Sequence, residues 1–295
     1  MEARAQRLPP SVRVEIRARD DVLLAADCHG ETGAPPVLFA HGFGQSRHAW
    51  QATARTVASH GFRTWALDGR GHGDSGRSAD GAYAFEQFID DVGSALDAAG
   101  TPAVWVGASM GGLLGMVAAS RHPQRFRALV LVDITPRWET AGVERILDFM
   151  RARPEGFASL DEAQAAVRDY LPHRAQAKSP ERLAKLLVRG DDGRLRWHWD
   201  PRLLDTVAAE TARWAAHLPA AARALRMPVL LISGGRSDVV SDHTIGEFLE
   251  LVPHAEHRRL PDATHMVAGD ANDRFTGLIV DWLDRLAATP DSIEC

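Results

Sequence analysis

An apolar run, Val104-Trp105-Val106, leads into Gly107-Ala108-Ser109-Met110-Gly111-Gly112, and an apolar helical pattern over 113–120 follows. A serine with glycine two residues away on each side, set between a strand and a helix, is the G-x-S-x-G pattern of a turn that exposes a nucleophilic hydroxyl. The turn is sharp and crowds its neighbours, so Gly107 and Gly111 have a steric reason to lack a Cβ. The first free N–H groups of the following helix aim back at the serine, where negative charge would develop. Glycine is common here, at 25 residues, so the pentapeptide alone could be plain packing. The order strand, elbow, helix is what gives it meaning.

The rest of the chain alternates between strand and helix patterns. Residues 12–18 alternate at period two and 22–28 read as their hairpin partner, with Asp20-Asp21 at the turn. Val37-Leu38-Phe39-Ala40 is short and continuously apolar, as a central parallel strand is, and ends at His41-Gly42-Phe43-Gly44. A helix over 46–60 is stopped by Gly61. A strand over 62–67 runs into the glycine-dense loop Asp68-Gly69-Arg70-Gly71-His72-Gly73-Asp74-Ser75-Gly76. Residues 83–99 form an amphipathic helix with Phe85, Phe88, Val92 and Leu96 on one face. After the elbow helix, a strand over 126–132 ends at Asp133. This alternation predicts a mostly parallel sheet covered on both faces.

From 136 to 225 the pattern changes. No strand is expected, and helices are expected over 143–152, 160–170, 180–187 and 201–217. Trp138, Trp197, Trp199 and Trp214, half of the 8 tryptophans, lie in this stretch. The sheet pattern resumes over 228–233 and continues with a helix over 242–251, a short strand over 257–260 and a last helix over 273–286. The expected organisation is a core domain of 1–135 and 226–295 with a helical cap, 136–225, inserted over the sheet's ligand-binding edge. Open α/β sheets bind ligands beyond the carboxyl ends of their strands.

Composition narrows the function. At 295 residues, 45% hydrophobic and 25% charged, the chain has the make-up of an ordinary globular protein. A formal net charge of −5 without a basic run argues against nucleic acid as a partner. Cys28 and Cys295, the only cysteines, make neither a disulfide framework nor a metal cluster and fit a reducing compartment. No signal core or membrane-length apolar stretch is present, so a cytoplasmic protein is expected.

A serine hydroxyl needs a base, and the base needs an orienter. In elbow proteins of this type they follow in the order serine, acid, histidine. Asp238 follows the strand pattern ending at Ser233, through Gly234-Gly235-Arg236-Ser237. His265 lies just past the last short strand, in Pro261-Asp262-Ala263-Thr264-His265-Met266. In a parallel sheet both fall on the side where Ser109 emerges. His265 is expected to take the proton from Ser109, and Asp238 to hold the imidazole. Asp133 is the rival acid, because it too ends a strand after the elbow; Asp262 is too close to His265 in sequence to be the first choice. The oxyanion hole is expected from the backbone N–H groups of Met110, beside the nucleophile, and Phe43, between Gly42 and Gly44. Most of the 13 histidines read as surface or structural residues. His72 reads as a structural hydrogen bonder. His198 fits either a substrate contact or cap core with Trp197 and Trp199. The glycine-dense loop lacks the Lys-Ser/Thr of a phosphate loop, and no H-E-x-x-H or clustered Cys/His set is present, so neither a cofactor nor a metal is expected.

Five motifs in order carry a resemblance: His41-Gly42-Phe43-Gly44, Asp68 to Ser75, Gly107 to Gly112, Gly234 to Asp238, and Ala263-Thr264-His265-Met266-Val267. From about residue 12 to 286 the chain resembles the α/β-hydrolase fold superfamily. The resemblance implies eight sheet strands, the second antiparallel, a cap inserted after the sixth, and the roles of nucleophile, acid and base on Ser109, Asp238 and His265. The chain looks nearest to small serine esterases, lactonases and cofactor-free haloperoxidase-like proteins acting on a small or medium apolar substrate. Dehalogenases and epoxide hydrolases of this fold have an aspartate nucleophile where this chain has Ser109. Carbon–carbon bond hydrolases look similar around Ser-Met-Gly-Gly but usually have Asn where this chain has Ala108. Cofactor-free perhydrolysis and a non-catalytic binding protein that retains the triad are the other readings.

Overall fold

A computed structural model describes residues 11–171, 180–270 and 272–288. The terminal Cys295, His173 and the first ten residues lie outside the described residues. Eight strands form one sheet: β1 (Val12–Arg17), β2 (Leu23–His29), β3 (Pro36–Ala40), β4 (Arg63–Leu67), β5 (Ala103–Ala108), β6 (Phe126–Val132) and, after the insert, β9 (Val229–Gly234) and β10 (Glu256–Leu260). Their order is β1-β2-β4-β3-β5-β6-β9-β10. β2 runs antiparallel to both β1 and β4, and the remaining neighbours pair in parallel.

Helices close both faces. On one side are α1 (Gln51–Ser59), the short α10 (Val267–Asp270) and α11 (Asn272–Ala288); on the other are α2 (Phe85–Ala99), α3 (Met110–Arg121) and α9 (Asp242–Leu251). Alternate strand residues feed the two layers. Leu38, Trp105, Leu129 and Leu231 pack with Phe88, Met116 and Phe248. Val37, Phe39, Val106, Val130 and Ile232 pack with Trp50, Val57, Phe275 and Ile279. A strand covered on both faces has no polar side, which is why β3, β5 and β6 read as continuous apolar runs. Phe85, Phe88, Val92 and Leu96 are all buried along α2, as its period required.

The insert holds α4 (Thr140–Arg151), α5 (Leu160–Tyr170), α6 (Pro180–Ala184), α7 (Leu203–Ala215) and α8 (Leu218–Arg223). It is not all helical. β7 (Leu187–Arg189) and β8 (Leu195–Trp197) form an antiparallel hairpin. Its turn signal, Gly190-Asp191-Asp192-Gly193, was present in the sequence, but three-residue strands are too short to show a period. Gly193 sits at φ 78°, as such a turn requires. Leu218, Ala222 and Leu225 at the insert's end belong to the core cluster that includes α3. Among the described residues no helix is long and apolar enough to cross a membrane.

Register decides what this fold can do. Ala40 pairs with Leu67 and Gly107, Ala108 with Val132, and Val132 with Ile232. The parallel strands therefore end together and deliver His41, Asp68, Ser109 and Asp133 to one edge.

Candidate active site

Ser109 leaves β5 at φ 47° and ψ −118°, in a region that side chains rarely adopt. Its N–H donates to the Val132 carbonyl (3.0 Å), so the turn is anchored to the neighbouring strand. The elbow glycines are sterically obligatory. A Cβ on Gly107 would meet the Gly111 carbonyl oxygen at 2.3 Å, and one on Gly111 would meet the Ala40 oxygen at 2.6 Å. Trp105 Nε1–H donates to the Gly111 carbonyl (2.9 Å), tying the strand to the first turn of α3. Ser109 itself is partly exposed at the edge.

Asp133 leaves β6 beside Ser109 and also sits at positive φ, 50°. His265 Nδ1–H donates to Asp133 Oδ2 at 2.7 Å, with the two side chains 12% and 0% exposed. With Nδ1 as the donor, the neutral ring carries its lone pair on Nε2. The carboxylate also accepts Gly234 N–H (2.7 Å) and Ser237 Oγ–H (2.5 Å). Burying a carboxylate is costly unless it is paired and hydrogen-bonded, and Asp133 has three donors.

This corrects the expected acid. Asp238 does not take the place on His265: its carboxylate pairs with Arg145 of α4 at 2.5 Å and is 34% exposed. The reason lies in the loop after β9. Gly234 and Ser237 turn their donors onto Asp133, and Ser237 Oγ also accepts the N–H groups of Val239 and Val240. The tight turn spends its inward-facing donors on Asp133 and leaves the Asp238 side chain facing the cap. Gly142 of α4 lies against the Asp238 carbonyl, where a Cβ would come within 2.1 Å. Chain order could not choose between the two acids, since both follow strands after the elbow. Ser237 was not singled out from sequence, and no periodicity marks it.

The loop after β3 lies over the serine. A Cβ on Gly42 would be 3.1 Å from the Ser109 Cβ and 3.9 Å from its Oγ. The N–H groups of Phe43 and Met110, the expected oxyanion donors, have no hydrogen-bond acceptor among the described residues. The cap reaches this loop too. At Gly44, with φ 75°, a Cβ would meet Met150 Cε at 2.9 Å and the Trp199 ring at 3.5 Å. Trp214 packs elsewhere, stacked on Phe85 of α2 with ring centroids 4.7 Å apart. An apolar cavity of about 50 Å³ runs under the elbow between His41, Phe88, Trp105 and Met110. A second, of about 360 Å³, lies in the cap beside Arg145, Phe149, Phe157 and Tyr170. Neither is lined by Ser109.

Comparison with known proteins agrees with this architecture. Residues 35–271 match the alpha/beta hydrolase fold family. A Mycobacterium tuberculosis esterase is 31% identical over 242 residues, covering 79% of this chain and 73% of that one. Mouse sn-1-specific diacylglycerol lipase is 29% identical over 260 residues, covering 86% of this chain and 82% of that one. Among solved structures, the enol-lactonase of Burkholderia xenovorans superposes with a TM-score of 0.71 at 26% identity, covering 92% of this chain and all of that one. With four-fifths of its length inside the family match and its strand ends arranged around a partly exposed elbow serine, the chain belongs to the α/β-hydrolase fold family of enzymes.

Proposed function

We propose that the chain hydrolyses a carboxylic ester or lactone through an acyl intermediate on Ser109. The observation that carries this reading is the contact of His265 with the buried Asp133 beside the strained elbow. Asp133 fixes the Nδ1–H tautomer of His265 and stabilises the imidazolium that forms. His265 Nε2 takes the proton as Ser109 Oγ adds to the carbonyl carbon. The Phe43 and Met110 N–H groups receive the developing oxyanion. The tetrahedral intermediate then collapses, the C–O bond to the leaving group breaks, and His265 returns the proton to the departing alkoxide. Water repeats the sequence on the acyl-serine and releases the acid. Each oxyanion donor supplies about 3 kcal/mol of transition-state stabilisation in such sites. The names of the relatives, an esterase, a diacylglycerol lipase and an enol-lactonase, support acyl-bond cleavage.

The experiment is turnover of short p-nitrophenyl esters alongside labelling by a fluorophosphonate. Ser109→Ala is expected to abolish labelling and lower kcat at least about 10⁴-fold, leaving the residual rate that an intact oxyanion hole supports. Wild-type turnover and labelling in that variant would sink the acyl-serine reading.

A further inference from the structure

Three buried histidines form a chain from the loop over Ser109 to the cap. The centroids of His41 and His72 are 5.0 Å apart, and those of His72 and His198 are 6.1 Å apart. Each ring accepts a backbone N–H. Gly69 donates to His41 Nε2 (2.9 Å), Gly44 to His72 Nε2 (3.1 Å) and Gly73 to His198 Nδ1 (2.7 Å). The opposite nitrogens of the first two rings donate: His41 Nδ1–H to the Gly42 carbonyl (2.8 Å) and His72 Nδ1–H to the Arg70 carbonyl (3.0 Å). A histidine that accepts at one nitrogen cannot be an imidazolium. Burial pushes His41 below its ordinary value and His72 well below it.

These bonds engage polar groups on either side of Phe43 in the turn over Ser109. The Gly42 carbonyl accepts from His41 and from Gln45 N–H (3.0 Å). Gly44 N–H goes to His72. That leaves the N–H of Phe43 for a ligand, between a Gly42 carbonyl and a Gly44 N–H that are both bonded. Cap residues 198–200 meet the same chain of contacts. His198 accepts from Gly73, Asp200 N–H donates to the Gly71 carbonyl (2.8 Å), and Trp199 lies against Gly44. Tyr83 Oη–H, from the core, donates to Asp200 (2.7 Å) and fixes that segment.

We propose that His72 and His198 are positioning residues, neutral imidazoles that seat the cap on the glycine-dense loop and thereby hold the Phe43 N–H in line with the Ser109 oxyanion. The proposal rests on the acyl-serine reading for its kinetic consequence, but its geometry is independent of that reading. The aim of the oxyanion donor then depends on the cap, because His198 holds Gly73, the residue after His72, and its ring lies beside the ring that holds Gly44. A reacting group displaced by about 1 Å costs on the order of 100-fold in rate.

Two measurements test it. Nitrogen-15 NMR of histidine-labelled wild-type protein is expected to show His41 and His72 as neutral Nδ1–H tautomers from pH 8 down to 6; an Nε2–H tautomer at His72 overturns the proposal without any variant. Kinetics then compare His72→Phe, which removes the acceptor, with His72→Gln, which keeps one near the Nε2 position. His198→Leu and His198→Asn make the same comparison at the cap. His72→Phe is expected to lower kcat between about 10- and 100-fold with KM within about threefold, and His72→Gln to recover most of that loss. The His198 pair is expected to show the same order with a smaller amplitude, and it stands on its own if His72→Phe does not fold. Equal rates in the acceptor-lacking and acceptor-keeping variants overturn the proposal. If Ser109→Ala is dead and these pairs are silent, the histidine chain fails while the acyl-serine reading stands; if Ser109→Ala stays active, that reading fails and the tautomers still decide the geometry.

Discussion

At the sheet edge, Ser109 and Asp133 both occupy positive φ and are tied to the next strand by backbone groups, Ser109 to Val132 of β6 and Asp133 to Ile232 and Gly234 of β9. In the cap, beside the backbone pairing of its hairpin, many contacts run between side chains. Phe149 stacks on Tyr170 with centroids 4.1 Å apart, Trp197 stacks on Trp199 at 5.0 Å, and Arg153 pairs with Glu162 on the surface. A strained backbone costs about 1–3 kcal/mol per residue and persists only where its surroundings over-determine it. Stacked rings and exposed ion pairs impose no such single geometry. On the proposed reaction, the edge would fix the reacting atoms and the cap would vary around them. Asp133 and Asp238 put this difference within one pair of carboxylates: the first has three donors and no exposure, the second a cap arginine and solvent.

The largest expected effect separates those two acids. Asp133→Asn should lower kcat about 10³- to 10⁴-fold by permitting the wrong imidazole tautomer, while Asp238→Asn should cost less than about tenfold. Melting curves near wild type are needed for both, since Asp133 is buried. A crippled Asp238→Asn beside a healthy Asp133→Asn would reverse the assignment and, with it, the contrast between edge and cap.

A smaller effect is expected at Met150, which reaches from α4 to Gly44. Met150→Ala should raise kcat/KM for longer acyl chains over acetyl by about tenfold, because one or two methylenes in an apolar pocket carry that much discrimination. An equal change for every chain length would mean that Met150 supports the edge and does not select substrate.

The smallest effect is a pH dependence of stability. His41 and His72 titrate below the ordinary histidine value because they are buried. Above about pH 6.5 they are neutral in both folded and unfolded chains and add no pH dependence. As pH falls below that value the unfolded chain takes up protons first, so stability declines until the folded-state values are reached. Tm should drop between pH 7 and 5, and less steeply in His72→Gln. An equal slope in that variant would remove His72 from the account.

Much of this was legible from residue order. Val37 to Ala40, Val104 to Val106 and the 126–132 run announced parallel strands, because a strand buried on both faces must be apolar throughout. The α2 face followed from its period and the span of α9 matched the helix expected over 242–251; the structure adds that Ser241 Oγ accepts Thr244 N–H at its start. The hairpin of β7 and β8 escaped because three-residue strands carry no measurable alternation. His72 was read as a structural hydrogen bonder, and it makes such a bond to Gly44, but nothing in the spacing of residues 44, 72 and 198 reveals that they meet.

The sequence by itself determined the elbow, the strand order of the chemistry and the candidacy of Ser109 and His265, because these depend on local sterics and on where apolar runs stop. Only the tertiary structure decided which carboxylate faces His265. That choice depends on where the loop after β9 turns its N–H and hydroxyl donors, and those donors close on Asp133 from residues about a hundred positions away. Local sequence encodes the backbone of such a turn; the partner it buries is set by the register of β6 against β9, a long-range fact that no short stretch of the chain contains.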